Sequence, residues 1–219
     1  MRARRKSWAA HEIETNPFCI ETPDEHAGRW HEFFDNSNPI HLEIGCGMGR
    51  YITHMAEANP DVNFIAFERE RNVIVTGARA ARESGRRIAF IIGDASDLSG
   101  CFTPGEISRI YINFPDPWPN RKKWRKRRLT HSSFLQTYKR VMGASGEIFH
   151  KTDNAELFEF SLEQFSQHGF ALRNISLDLH KSSFAGNIMT EYESKFSAQN
   201  LPIYRCEAFY NKGVPHVEN

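Results

Sequence analysis

Apolar residues recur along this chain in short runs separated by longer amphipathic stretches. Ile40–Ile44, Asn63–Phe67, Ile88–Ile92, Arg109–Phe114 and Glu147–His150 read as strands, each closed by a glycine, a proline or a charged residue. Between them, Arg50–Ala58, Arg71–Ser84, Ser132–Met142 and Ala155–His168 have helical spacing. They stop near Asn59-Pro60, Gly85, Gly143 and Gly169. Two later runs, Ala171–Leu177 and Ile203–Phe209, are spaced to form an edge hairpin. The alternation predicts an α/β fold, a doubly wound and mostly parallel sheet with an antiparallel C-terminal edge. Residues 1–38 are polar and irregular, broken by Pro17 and Pro23. They are expected as an arm packing on the core, with 39–219 as a single domain.

In a sheet of this kind ligands bind beyond the carboxyl ends of the strands. Five acids fall there: Glu43, Glu68, Asp94, Asp116 and Asp153. The first strand runs into Gly45-Cys46-Gly47-Met48-Gly49, a turn whose glycines let the backbone approach a ligand closely. Its spacing differs from the dinucleotide fingerprint G-x-G-x-x-G. Glu43, two residues before the first glycine, would repel a pyrophosphate and attract a cationic amino or sulfonium group. Glu68 ends the second strand, where ribose hydroxyls are held in such folds. Asp94 follows the third strand, where an adenine edge would lie. Together these residues describe a pocket for a nucleoside with a cationic amino-acid tail, which fits S-adenosylmethionine.

The most informative stretch is Ile112–Leu129, INFPDPWPNRKKWRKRRL. A strand end becomes a loop with one acid, Asp116, three prolines and Trp118, and then a basic run. Asp116 beside Trp118 can hydrogen-bond and stack on a flat heterocycle, while the cations can hold a phosphate backbone. The formal net charge is only +1, but seven of the 28 Lys and Arg fall within Arg121–Arg128, against 27 Asp and Glu overall. The rest of the chain is therefore net acidic, and positive potential concentrates beside the acidic loop. That points to chemistry on a base within a nucleic acid.

Cys19, Cys46, Cys101 and Cys206 are scattered without CxxC spacing, against a zinc site or a disulfide scaffold. No metal is expected. No apolar run is long enough to span a bilayer, and the basic N-terminus lacks the apolar region of a signal peptide. The expected location is cytoplasmic, with no membrane partner.

The motifs LEIGCGMGRYI, IAFERE, INFPDPWP followed by KRRLTHSSFL, HKTDNAELFEFS and TEYESKFSAQNLPIYR resemble those of the bacterial tRNA (guanine-N7-)-methyltransferases over nearly the whole chain. The resemblance implies a class I methyltransferase fold, S-adenosylmethionine as donor, and the variable-loop guanine at tRNA position 46 as acceptor. It implies Glu43, Gly45, Gly47, Glu68, Asp94 and Asp116 on the cofactor side, with Asp116 also catalytic. Asp153 and Thr190, Glu191, Tyr192 and Glu193 would face the substrate. The resemblance implies a lysine directly after PWP, the usual residue there in that family. Here Asn120 stands there, so the substrate-side place falls to Asn120 or to Arg121. A monomer and a homodimer are both compatible with the sequence.

Three other readings compete. Exocyclic amino-group methylases carry an Asx-Pro-Pro-aromatic loop that Asp116-Pro117-Trp118 loosely imitates. An NAD-dependent oxidoreductase would reuse the Gly turn and Glu68, but the glycine spacing, Glu43 and the basic run disfavour it. A non-catalytic RNA-binding protein would have no need of both Asp116 and Asp153.

Overall fold

The computed structural model describes residues 6–213, apart from the side chain of Glu191. Helix α1 (Ala9–Thr15), strand β1 (Cys19–Ile20) and helix α2 (Trp30–Phe34) come first. The alternating core follows as β2 (Ile40–Ile44), α3 (Arg50–Ala58), β3 (Asn63–Glu68), α4 (Arg71–Glu83) and β4 (Ile88–Ile92). It continues through α5 (Leu98–Cys101), β5 (Ile107–Asn113), α6 (Lys122–Arg125), α7 (Ser132–Met142), β6 (Ser145–Thr152) and α8 (Ala155–Gln167). Last come β7 (Ala171–Ser176), α9 (Glu191–Ser197) and β8 (Tyr204–Asn211).

The eight strands form one sheet in the order β1-β4-β3-β2-β5-β6-β8-β7. Pairing is parallel from β1 through β6, while β8 is antiparallel to both β6 and β7. Central strand β2 is buried at every position, as a parallel strand covered on both faces must be. Successive residues of β3 serve opposite faces. Phe64 and Ala66 pack with Ile52, Ile74 and Ala78 of α3 and α4. Ile65 and Phe67 pack into the larger core with Trp30, Leu98, Leu135 and Phe158 from α2, α5, α7 and α8. The chain winds outward in opposite directions from β2, through β3 on one side and β5 on the other. The crevice at the carboxyl end of β2 is therefore the switch point where this architecture binds ligands.

Two sequence expectations need correction. Where it is described, from Lys6 on, the N-terminal segment is not wholly irregular. It adds β1 to the sheet edge beside β4, and it sends Trp30 into the core, fully buried, with its indole N–H donating to the Cys101 carbonyl at 3.0 Å. Buried Glu12 of α1 pairs with Arg79 at 2.8 Å and Arg82 at 2.9 Å on α4. These partners lie far away in sequence, so periodicity could not show them. The late strands pair antiparallel, but not as a simple hairpin. β8 inserts between β6 and β7, and residues 177–203, including α9, fill the connection. Among the described residues no helix is long and apolar enough to cross a membrane.

Candidate active site

The side expected to face the cofactor is assembled largely by the turns that follow β2, β3 and β4. Gly45 and Gly47 have φ of 77° and 56°, and a Cβ at either would meet nothing within 4 Å, so the turn presents open space above the sheet. Glu68 reaches over it: Oε2 accepts the Gly47 N–H at 3.2 Å and Oε1 accepts the Glu70 N–H at 2.9 Å. Asp94 caps the turn after β4, accepting the Ser96 N–H at 3.0 Å and the Ser96 hydroxyl at 2.8 Å. Those two bonds hold its carboxyl below the usual carboxylate range, helped by the charges of Arg69 and Arg127.

Glu43 is different in kind. It is buried at the end of β2, where Oε1 accepts the Asn113 side-chain N–H at 2.9 Å. Oε2 is buried with no hydrogen-bond partner. Burial pushes this carboxyl up to about 8, against the pull of the Asn113 bond and the Lys151 charge. A half-satisfied buried carboxylate beside an open glycine turn fits a ligand carrying positive charge and N–H donors. The ammonium and sulfonium of S-adenosylmethionine are such groups, so the residues present fit that cofactor. Glu43 would hold its charged tail and Glu68 its ribose.

The side expected to face the acceptor lies at the ends of β5 and β6. Phe114 takes a left-handed φ of 49°, which a non-glycine residue adopts only under constraint. Its N–H donates to the Lys151 carbonyl at 2.8 Å, and its ring stacks on Tyr192 and Phe196 of α9 with centroids 6.5 and 6.4 Å away. Asp116 and Asp153 follow on adjoining strands. Both are exposed, and neither has a hydrogen-bond or ion-pair partner among the described residues.

The basic run is less uniform than its sequence. Asn120, Arg121, Lys122, Lys123, Lys126 and Arg127 are exposed. Arg127 lies over the rings of Trp118 and Trp124, 4.8 and 5.0 Å from their centroids, and those rings stack on each other at 5.3 Å. Arg128 is fully buried. It is therefore not a phosphate contact, which corrects the reading of Arg121–Arg128 as one cationic surface. Of the N-terminal basic cluster, only Lys6 falls within the described residues.

Helix α9 closes this side. Thr190 is its N-cap, and with Glu193 it forms a reciprocal capping box. Glu193 is fully buried, and its Oε2 accepts from the Lys151 ammonium at 2.7 Å. Lys151 also donates to Asn187 Oδ1 at 3.1 Å and the Ile188 carbonyl at 3.0 Å. Of the TEYE residues, Tyr192 faces outward, Thr190 and Glu193 are turned inward, and the Glu191 side chain lies outside the described residues. A cavity of about 280 Å³ adjoins the Asn113 end of the site, lined in part by Tyr51, Asn113, Lys151 and Asn187. The Gly turn and Glu68 lie outside it, on an open shelf.

Comparison with known proteins decides the family. Residues 37–206 match the family described as "Putative methyltransferase". A Geobacillus sp. (strain WCH70) protein named tRNA (guanine-N(7)-)-methyltransferase is 50% identical over 212 residues, 96% of each chain. A Bacillus subtilis (strain 168) protein of the same name is 48% identical over 209 residues, 94% of this chain and 98% of that one. The chain belongs to the tRNA (guanine-N(7)-)-methyltransferase family. Solved structures show the same fold at low identity. An antibiotic-related methyltransferase has a TM-score of 0.63 at 14% identity, over 90% of this chain and 98% of that one. The 16S rRNA methyltransferase KamB has a TM-score of 0.62 at 12% identity, over 84% and 92%. The architecture is that of class I S-adenosylmethionine-dependent methyltransferases.

Within this methyltransferase, sequence reasoning missed Asn113, Phe114 and Lys151 around the candidate site, and it placed Arg128 on the cationic surface with its exposed neighbours. Only α9 carried a readable signal, the T-x-x-E spacing of Thr190 and Glu193 that marks a capping box. Nothing near Arg128 in sequence separates it from its exposed neighbours.

Proposed function

We propose that the protein transfers a methyl group from S-adenosylmethionine to N7 of guanine in tRNA, at position 46 of the variable loop. When bound, the cofactor supplies an electrophilic methyl group on a sulfonium sulfur. Guanine N7 carries an in-plane lone pair and no proton, so no general base is needed. What the chain must do is hold the acceptor in line, exclude water and offset the positive charge that grows on the purine. The observation that carries this reading is the pair of exposed, unpartnered carboxylates, Asp116 and Asp153, at adjoining strand ends next to the Glu43–Asn113 pair. Asp116 accepts hydrogen bonds from the N1 and N2 edge of guanine while facing the developing cation, and Asp153 supports it from the next strand. A stacked, paired guanine must be displaced to reach them. Exposed Arg121, Lys122, Lys123 and Lys126 offset that cost through phosphate contacts, with Asn120 or Arg121 nearest the base. Tyr192 and the outward face of α9 complete the tRNA surface, and the enzyme works in the cytoplasm where its substrate is made. The test is incubation with unmodified bulk tRNA and labelled S-adenosylmethionine. Label in N7-methylguanosine at one variable-loop position is expected; label in an exocyclic amino group, or none, overturns the proposal.

A further inference from the structure

The loop that carries Asp116 cannot hold its own shape. Pro115, Pro117 and Pro119 have no N–H to give. Between the Phe114 N–H and the Arg121 N–H, no amide of the loop makes a backbone hydrogen bond. The donors come instead from one buried side chain. Arg128 Nε donates to the Trp118 carbonyl at 2.8 Å, and Nη2 reaches the Pro117 carbonyl at 3.4 Å. Nη2 also donates to Glu156 Oε1 at 2.8 Å, and the guanidinium sits 4.8 Å from the Phe160 ring centroid. Pro117 and Trp118 directly follow Asp116. Glu156 lies in the first turn of α8, which Asn154 caps directly after Asp153.

We propose that Arg128 is a positioning residue, a clamp that ties the Asp116 loop to the start of α8 and so fixes how Asp116 and Asp153 face a shared acceptor base. The planar fork reaches two carbonyls and a carboxylate at once, which a lysine ammonium cannot do from the same place. Ordering the loop before the substrate arrives removes that cost from the reacting complex. This inference rests on the roles proposed above for Asp116 and Asp153.

The test compares Arg128→Lys and Glu156→Ala with the parent enzyme, measuring kcat on saturating tRNA, S-adenosylmethionine affinity by calorimetry, and the salt dependence of tRNA binding. Arg128→Lys should lower kcat by about tenfold or more, as expected when reacting groups lose their placement. Cofactor affinity and the salt slope should not change. Glu156→Ala, at a half-exposed side chain, removes the carboxylate from Arg128 but leaves its two carbonyl contacts, and should lower the same parameter by less. A flattened salt slope with kcat retained would make Arg128 a phosphate contact and overturn the clamp. Unchanged kcat in both variants would also overturn it, as would unchanged kcat in Glu156→Ala if Arg128→Lys does not fold. A parent enzyme without methyl transfer to tRNA would instead refute the proposed function.

Discussion

The two halves of the site are held by different physics. On the cofactor half, Glu68 and Asp94 are oriented by amides within two residues of them in the chain, or by the Gly turn that packs against β3. On the acceptor half, Phe114 is set by α9, the Asp116 loop by Arg128, and α9 by an ion pair between Lys151 and Glu193, 42 residues apart in sequence. Glu43 apart, which is buried and held by Asn113 of β5 70 residues away, the first half needs only β2, β3, β4 and the turns that follow them. The second exists only when distant elements have docked, and it depends on buried charges whose loss is not compensated by water. Damage to the first should therefore be confined to binding, and damage to the second should spread into stability and turnover.

The largest expected effect tests that spread directly. Lys151→Met takes the ammonium away from fully buried Glu193 and leaves it beside the His180 ring, 3.3 Å away. Breaking one side of a buried pair typically costs about 3–5 kcal/mol. Urea unfolding should show a loss of that order. The double variant Lys151→Met/Glu193→Leu should be more stable than the sum of the single losses predicts. If Lys151→Met unfolds at the parent midpoint, the acceptor half does not depend on this pair.

Next in size is the chemistry itself. Asp116→Asn keeps the side chain's shape and removes its charge, and Asp116 has no described partner to disturb. Turnover on tRNA should fall by about a hundredfold, the scale for losing one preorganised electrostatic group. S-adenosylmethionine affinity should stay close to the parent's, which single-turnover and calorimetric measurements separate. Turnover within about twofold of the parent would make Asp116 a loop-shaping residue, since an electrostatic role demands far more.

The same division explains what the sequence made legible. β2, α3, β4 and α7 lie where their periodicity and stop signals put them, because local propensity and a buried face dictate the same answer. The positions of the shelf acids were readable for the same reason: Glu68 ends β3 and Asp94 lies two residues past β4. Arg128 was not readable. In the sequence it is one more cation in a run, and only the packing of α8 and Phe160 around it makes it internal. Trp30 was missed likewise, since its partner, the Cys101 carbonyl, is 71 residues away. Thr190 and Glu193 show the intermediate case. Their T-x-x-E spacing is that of a capping box, though no helix was expected there, and the pairing of buried Glu193 with Lys151 is one that no local pattern indicates.

A smaller effect belongs to the cofactor half. Burial holds the Glu43 carboxyl at about 8, so near neutral pH much of it is protonated before ligand binds. A cationic ligand favours the carboxylate and lowers that value in the complex. Binding below about 8 must therefore expel a proton. S-adenosylmethionine affinity should rise with pH up to about 8 and level off above it, by up to about tenfold per pH unit. Calorimetry in buffers of different ionisation enthalpy should detect proton release at pH 7, and Glu43→Gln should abolish it. Affinity independent of pH from 6 to 9 in the parent would remove Glu43 from the cofactor's charged tail.

The smallest effect sharpens the boundary between the halves at the protein surface. If exposed Arg121 and Lys122 contact phosphates, they act through counterion release and contribute to the salt dependence of tRNA binding. The double variant Arg121→Ala/Lys122→Ala should flatten the slope of log K against log salt by about one unit per lost contact. Cofactor affinity and the unfolding midpoint should not move, because both side chains project into solvent. Asn120→Lys places a cation where the family resemblance implies one. It should steepen the slope if the position faces a phosphate, and leave it unchanged if Arg121 already fills that place. An unchanged slope in the double variant would shift the phosphate surface to Lys123, Lys126 and the outward face of α9. The acceptor half would then grip RNA through the later cations of the run and through α9, a distant element that packs on Phe114, and not through the start of the run beside Asn120.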